Sequence, residues 1–375
     1  MYNPRLLLFI FSLIFIIGLS QCKKDVSGNQ QNPSGLWSGA TPYNFTVPEG
    51  FPQPFIPADN PMSVEGVKLG RFLFYDKRLS KDMSMSCGTC HEPQNAFSNR
   101  TAKSVGIHGQ QTRRNSMPVF NLAWQQNFFW DGRAVSLEEQ ALLPVTDQLE
   151  LDNDWATVVA RLETDSVYPA MFQDAFGPTS SITKENAVKA IAQFERSIVS
   201  ANSEFDQVVR LKTKASFDDP RAAEGMVFFD RFFPDGADCS HCHGREETSY
   251  IMGSYGLLQF SNNGLKDSLG EMTDRGLEEV TGNPDDRAKF RIPSLRNLLF
   301  STPFMHDGSI PDIDSLVTFY NSQSHKNRTT DQVMETAGRD NRWTIEEQEN
   351  LKAFLRSLSD DDFRENQDYT NPFQN

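Results

Sequence analysis

The sequence predicts a mainly α-helical protein built from two tandem modules with long loops. Three observations predict it. Cys87-Gly88-Thr89-Cys90-His91 and Cys239-Ser240-His241-Cys242-His243 are the same C-x-x-C-H motif, one in each half of the chain. Apolar residues recur at helical spacing: Ala187, Ile191, Phe194 and Ile198 fall on one helix face, and Leu351, Phe354, Leu355 and Leu358 on another. Strand signals, meaning runs of alternating β-branched and polar residues, are few.

C-x-x-C-H is the attachment signature of a c-type haem. Two thiols at this spacing can each form a thioether to one porphyrin edge, and the imidazole that follows can bind the iron from beneath. The other readings are a zinc half-site, a thioredoxin-like pair, or chance. A structural zinc site takes four ligands, commonly from a second C-x-x-C, and the redox pair has no adjacent His. Two covalent haems, on Cys87, Cys90 and His91 and on Cys239, Cys242 and His243, account for both occurrences. Of the chain's five cysteines only Cys22 lies outside the motifs, so no pair is left for a disulfide.

The composition fits that reading. The 375 residues suffice for two domains and a tail, and 29 Phe supply walls for haem crevices. A formal net charge of −14 argues against nucleic-acid binding and permits a basic redox partner.

In chain order, residues 1–21 read as a lipoprotein signal peptide. Arg5 supplies positive charge and Leu6 to Leu19 an apolar stretch too short for a comfortable membrane span. Leu19-Ser20-Gln21-Cys22 resembles a bacterial lipobox, with Gln21 larger than the usual small residue. Cleavage before Cys22 and its lipidation are expected, with an ordinary signal peptide or an uncleaved anchor as alternatives. Any of these places the protein outside the cytoplasm, periplasmic and membrane-attached if lipidated. Residues 22–45, rich in Ser, Gly, Asn, Gln and Pro, read as a flexible tether. Phe45 to Pro61, with five prolines, reads as an extended strap with neither helix nor strand, lying on the first module. Helices are expected at Val64–Tyr75, Ser136–Leu143, Trp155–Leu162 and Thr183–Ser200, the last with Thr183 as N-cap. Thr344 and Glu347 form a capping box before a C-terminal helix.

The modules are an internal repeat. Gly70 and Phe74 before the first motif share their spacing with Gly225 and Phe229 before the second. After the motifs, Asn121 to Trp130 matches Asn297 to His306. The boundary is expected between Ala201 and Pro220, giving domains 46–205 and 206–375.

With these residues placed, the chain resembles the bacterial di-haem cytochrome c peroxidase family, which includes the MauG-type enzymes. The likeness runs from about Val64 to Leu358. It rests on both C-x-x-C-H sites, Arg114-Asn115 ahead of Pro118, Phe129-Trp130-Asp131-Gly132-Arg133-Ala134, Ala190-Ile191-Ala192-Gln193-Phe194-Glu195-Arg196, and Pro293-Ser294-Leu295-Arg296-Asn297 leading to His306-Asp307-Gly308. The resemblance implies two cytochrome c-like haem domains, a peroxidatic N-terminal one and an electron-transfer C-terminal one. It implies Glu150 as the distal proton shuttle, Gln140 as a distal-pocket amide, and Trp130 as the relay between haems. It matches His108 to a displaceable distal ligand, in a loop one residue shorter than the family's. Asn115, Ser301 and Pro303 match positions that bind an interdomain calcium ion, a hard cation suited to oxygen donors. At the sixth position of the second iron the classical peroxidases carry a Met; here Tyr320 stands, as in the MauG type, with Met305 and Met334 nearby. A phenolate stabilises oxidised iron where a thioether favours reduced iron.

Three functions follow. The first is a peroxidase that reduces hydrogen peroxide with electrons from a small cytochrome c or copper protein, entering at the C-terminal haem and crossing by Trp130. The second is a MauG-like oxidase that spends peroxide's oxidising power on a protein or organic substrate. The third is a simple di-haem electron carrier. The resemblance also admits a homodimer.

Overall fold

The computed structural model describes residues 35–232, 235–244, 259–266, 273–337 and 342–374. The expected signal peptide, Cys22 and most of the expected tether lie outside the described residues. The principal helices are α1 (Val64–Tyr75), α2 (Leu137–Thr146), α3 (Trp155–Glu163), α4 (Tyr168–Phe176), α5 (Lys184–Ser197), α6 (Arg221–Asp230) and α7 (Ile345–Ser357). Strand structure among the described residues is a single antiparallel pair, β1 (Phe260–Ser261) with β2 (Phe290–Arg291). No helix among the described residues is long and apolar enough to cross a membrane.

Capping chemistry sets the helix starts. Ser63 accepts from the Gly66 N–H at 2.9 Å, Thr183 from Asn186 at 3.1 Å, and Thr344 exchanges bonds with Glu347. Two ends differ from expectation. α2 runs past Pro144 to Thr146, because a proline near the last turn costs one N–H while the Asp147 N–H still closes on Leu143. α5 stops at Ser197: Ile198 turns extended, and its carbonyl accepts from Asn121 at 2.8 Å. Helices α4 and α6 were not expected from the sequence.

Two helix pairs carry the fold, and they are copies. α1 crosses α5 so closely that a Cβ on Gly70 would stand 1.9 Å from the Ala190 carbonyl oxygen. α6 crosses α7 so that a Cβ on Gly225 would stand 1.9 Å from that of Asn350. Phe74 meets Phe194 edge-on at 5.3 Å, and Phe229 meets Phe354 at 5.2 Å. Asn121 and Asn297 both take a left-handed backbone, at φ 54° and 58°.

Pro33–Asn375 is one compact unit with two main hydrophobic cores. The first gathers Leu69, Phe74, Phe97, Phe172 and Phe194; the second Phe205, Phe229, Val317, Phe354 and Leu358. The C-terminal segment does not stay with the second core. Phe363 and Tyr369 are buried in the first, and the Tyr75 hydroxyl donates to the Tyr369 carbonyl at 2.6 Å. The strap over residues 45–61 has neither helix nor strand. Its Phe51 packs edge-on against Trp124 at 5.1 Å and also receives the guanidinium groups of Arg210 and Arg296, so it touches both halves.

Candidate functional site

Each C-x-x-C-H motif folds as one helical turn, Cys87–Cys90 and Ser240–His243, closed by the His91 N–H on Cys87 and the His243 N–H on Cys239, both at 3.0 Å. The turn brings both thiols and the imidazole to one wall of a cavity. The first cavity is lined by Cys87, Cys90 and His91; the second by Cys239, Cys242 and His243.

The residues fit a haem in each. His91 Nδ1 lies 2.8 Å from the Phe97 carbonyl oxygen and His243 Nδ1 3.2 Å from that of Pro293. A carbonyl fixes the proton on Nδ1 and leaves Nε2 free to bind metal. Burial pushes both imidazoles down, His243 to about 4, so both are neutral. None of the four thiols is in a disulfide. Among the described residues, the cluster His241, Cys242 and Asp331 offers three donors, where a structural zinc takes four.

The cavities differ in their polar groups. Glu150 and Gln140 line the first. Burial pushes the Glu150 carboxyl up to about 7, with Asp147 adding and Arg133 and Arg113 opposing. Gln140 Oε1 is buried with no hydrogen-bond partner. The sequence reading missed Glu195 on α5, which lines the same cavity and whose Oε2 is likewise buried and unpartnered. Burial pushes it up to about 8, against the pull of Arg196 and with Glu138 adding. A carboxylate inside an otherwise apolar helix face was the available signal.

His108 is not where the expectation put it. It does not line the first cavity. The Ile107 N–H donates to the Glu150 carbonyl at 3.1 Å, and Gly109 closes a turn on Gly106. That turn sends the half-exposed His108 ring outward, where Nε2 meets the Asp152 carboxylate at 2.7 Å beside Lys81.

In the second cavity Tyr320, Met305 and Met334 all reach the wall. Tyr320 sits on the turn Phe319–Gln323 after the helix Ile313–Thr318. Its hydroxyl lies 3.4 Å from Asn263 Nδ2, which also approaches Met305 Sδ at 3.3 Å. Burial raises the phenol to about 12.

Asn115, Pro118, Trp130 and Arg291 line both cavities and so form the wall between them. The Trp130 indole N–H donates to the Asn115 carbonyl at 2.8 Å, and its ring meets His306 edge-on at 6.4 Å. Ser301 and Pro303 line the second cavity with Asn115.

A family model described as di-haem cytochrome c peroxidase matches residues 64–214. The methylamine utilization protein MauG of Methylophilus methylotrophus is 31% identical over 326 residues, covering 86% of this chain and 90% of that protein. The chain belongs to the di-haem cytochrome c peroxidase family. A cytochrome-c peroxidase of Pseudomonas sp. (strain SCT) is 30% identical, covering 81% of this chain and 83% of its own length. The crystal structure of a MauG-like protein associated with microbial copper homeostasis superposes with a TM-score of 0.79 at 31% identity, over 88% of this chain and all of that one. This di-haem cytochrome c peroxidase homologue is thus a mainly helical oxidoreductase whose family carries two c-type haems.

Proposed function

We propose that this chain is a peroxidase. It reduces hydrogen peroxide to water with electrons from a small cytochrome c or copper protein, entering at the C-terminal site and passing by Trp130 to the N-terminal site. Bound haem supplies the redox-active iron at each site, the first facing peroxide and the second the donor. Glu150 carries the proposal: a half-buried carboxyl that lines the cavity of the first motif and is pushed up to about 7 by loss of solvent. Cleaving peroxide requires moving a proton from one oxygen to the other, and a group with a pKa near the working pH does so best. Glu150 takes that proton and returns it to the departing oxygen. Gln140, with its unpartnered Oε1, accepts from the peroxide and orients it. Two electrons from the donor and two protons from solvent complete the reduction. His108, turned outward to Asp152, has no part in it.

Tyr320 favours a second reading, a MauG-like oxidase acting on a protein or organic substrate. As sixth ligand of the second iron its phenol oxygen would lower the potential and hold oxidising equivalents longer, which Met305 or Met334 would not. Steady-state turnover with peroxide and a reduced cytochrome separates the two. Rapid oxidation of the cytochrome is expected; a long-lived oxidised state with no cytochrome consumed would replace the peroxidase by the oxidase. A carrier with both irons closed would leave peroxide and cyanide without effect.

The remaining parts belong to the same proposal. Asn115, Ser301 and Pro303 hold a calcium ion through oxygen donors beside the Trp130 wall. Domains 46–205 and 206–375 each carry one haem. The chain is exported, anchored in the periplasm through a lipid on Cys22, and pairs as a homodimer.

A further inference from the structure

The register that pairs Asn121 with Asn297 and Trp130 with His306 pairs Asn115 with Arg291. Both residues sit in the wall between the cavities, and their backbones are used alike. The Asn115 N–H donates to the His306 carbonyl at 2.8 Å, and the Arg291 N–H to the Trp130 carbonyl at 2.7 Å. Their side chains are used differently. The Asn115 amide is bound to the Thr101 and Ala102 carbonyls, at 3.0 and 3.2 Å. The Arg291 guanidinium has no carboxylate partner among the described residues. Its Nη2 lies 3.3 Å from Met117 Sδ, a weak acceptor, and its Nε is buried with no partner. Burial pushes the group down to about 10, with no anion opposing that shift.

Holding an unpaired cation away from water is unfavourable. Here the cost has a direction, because what this side chain exposes is the surface of both cavities. A guanidinium offers five donors in a planar fork matched to carboxylates. Neither cavity places a protein carboxylate on that fork. Each is expected to hold a haem, and every haem carries two propionate groups.

We infer that Arg291 is a shared propionate clamp, binding carboxylate groups of both haems from the wall between the cavities and holding both irons at raised reduction potential. It is a positioning and electrostatic residue. A fixed positive charge stabilises the reduced, more negative state of each site, and one charge facing both sites couples them. The inference rests on two haems being bound, and is independent of whether the reaction is that of a peroxidase or an oxidase.

The test compares the di-haem protein with its Arg291→Gln and Arg291→Lys variants, with haem stoichiometry established first by mass and pyridine haemochrome absorbance. Absence of two covalent haems from the unaltered protein would defeat the haem reading itself, before Arg291 is at issue. Spectroelectrochemical titration without peroxide then gives both midpoint potentials. Arg291→Gln is expected to lower both, and Arg291→Lys to restore most of the loss. Unchanged midpoints in Arg291→Gln overturn the clamp, and a shift at one site alone overturns its being shared. A crystal structure of the unaltered di-haem protein decides the matter even where Arg291→Gln fails to mature. Guanidinium nitrogens within hydrogen-bond distance of a propionate from each haem are expected, and a gap at either haem refutes the proposal.

Discussion

The backbone N–H of Arg291 donates to the carbonyl of Trp130, and in the other half of the molecule the N–H of Asn115 donates to the carbonyl of His306. The two bonds are the same contact made twice, each module's chain closing on the other module's aromatic. Trp130 and His306 are equivalent in the repeat and meet edge-on across its centre. The duplication therefore sets one aromatic from each module side by side, Trp130 in the wall between the cavities and His306 lining the second.

Trp130→Phe keeps a ring in that wall and removes the N–H that Asn115 accepts. Peroxide-dependent oxidation of a reduced cytochrome is expected to fall by about tenfold or more, equivalent to roughly 1.4 kcal/mol of barrier. Cyanide binding at the first site should be unchanged. Stopped-flow traces measure both, and an unaltered turnover would remove Trp130 from the route.

Glu150→Gln keeps the shape of the side chain and removes its proton chemistry. Loss of one general acid–base group costs roughly 10²–10⁴-fold. With the carboxyl pushed up to about 7, its base form grows in as pH rises through neutrality. The unaltered protein should show turnover rising with pH through about 7, and Glu150→Gln should be slow and flat there. A variant that keeps the limb would assign it to another group.

Much of this site is legible in the sequence, and the illegible part has a common cause. The C-x-x-C-H turns, the caps at Thr183 and Thr344 and the paired Gly70 and Gly225 are local signals, so spacing and residue type suffice to find them. His108 could not be placed that way, because the direction of its ring is set by the Ile107 bond to Glu150, a contact between distant segments. The same holds for Phe363 and Tyr369, which return to the first core from the far end of the chain. Arg291 looks like an ordinary surface charge in the sequence, and Glu195 shows only as a carboxylate within an apolar helix face. The buried, unpartnered Glu195 Oε2 and Arg291 Nε arise only once α5 and the β1–β2 pair are packed around the cavities.

Glu195 also makes stability depend on pH. Its carboxyl, pushed up to about 8 in the fold, titrates near ~4.3 in an unfolded chain. Folding takes up a proton between those values, so its contribution is complete below about pH 4 and is lost as pH rises through about 8, at about 1.4 kcal/mol per unit crossed. The thermal midpoint of the di-haem protein should drop between pH 6 and 8, and Glu195→Gln should flatten that drop. Parallel curves for the two proteins would show that Glu195 is not held protonated.

Tyr320→Met exchanges a hard oxygen donor for a thioether at the second cavity. If Tyr320 binds the second iron, the midpoint potential there should rise and the absorbance bands of that haem should shift, while the first haem keeps its spectrum. Tyr320→Phe should also move the second-haem spectrum, because a ring without the hydroxyl cannot bind. A second-haem spectrum indifferent to both substitutions would pass the role to Met305 or Met334.

The helix crossings give the sharpest test of the duplication, because it predicts two equal numbers. A Cβ on Gly70 or on Gly225 would meet a backbone carbonyl oxygen at 1.9 Å, and would lie 2.9 Å from the Cβ of Phe194 or Phe354. The obstacle is backbone in both cases, so no side-chain rotation relieves it, and the helices must separate. Opening the α1–α5 crossing loosens Phe74 against Phe194; opening the α6–α7 crossing loosens Phe229 against Phe354. Overpacking of a well-filled core costs typically about 1–3 kcal/mol. The gain in helix propensity from Gly to Ala returns up to about 1 kcal/mol of that. Gly70→Ala and Gly225→Ala are therefore each expected to destabilise by about 1–2 kcal/mol in denaturant unfolding of the di-haem protein, by similar amounts. A large cost at one glycine and none at the other would mean that the two crossings, alike in geometry, are not alike in the energy they carry.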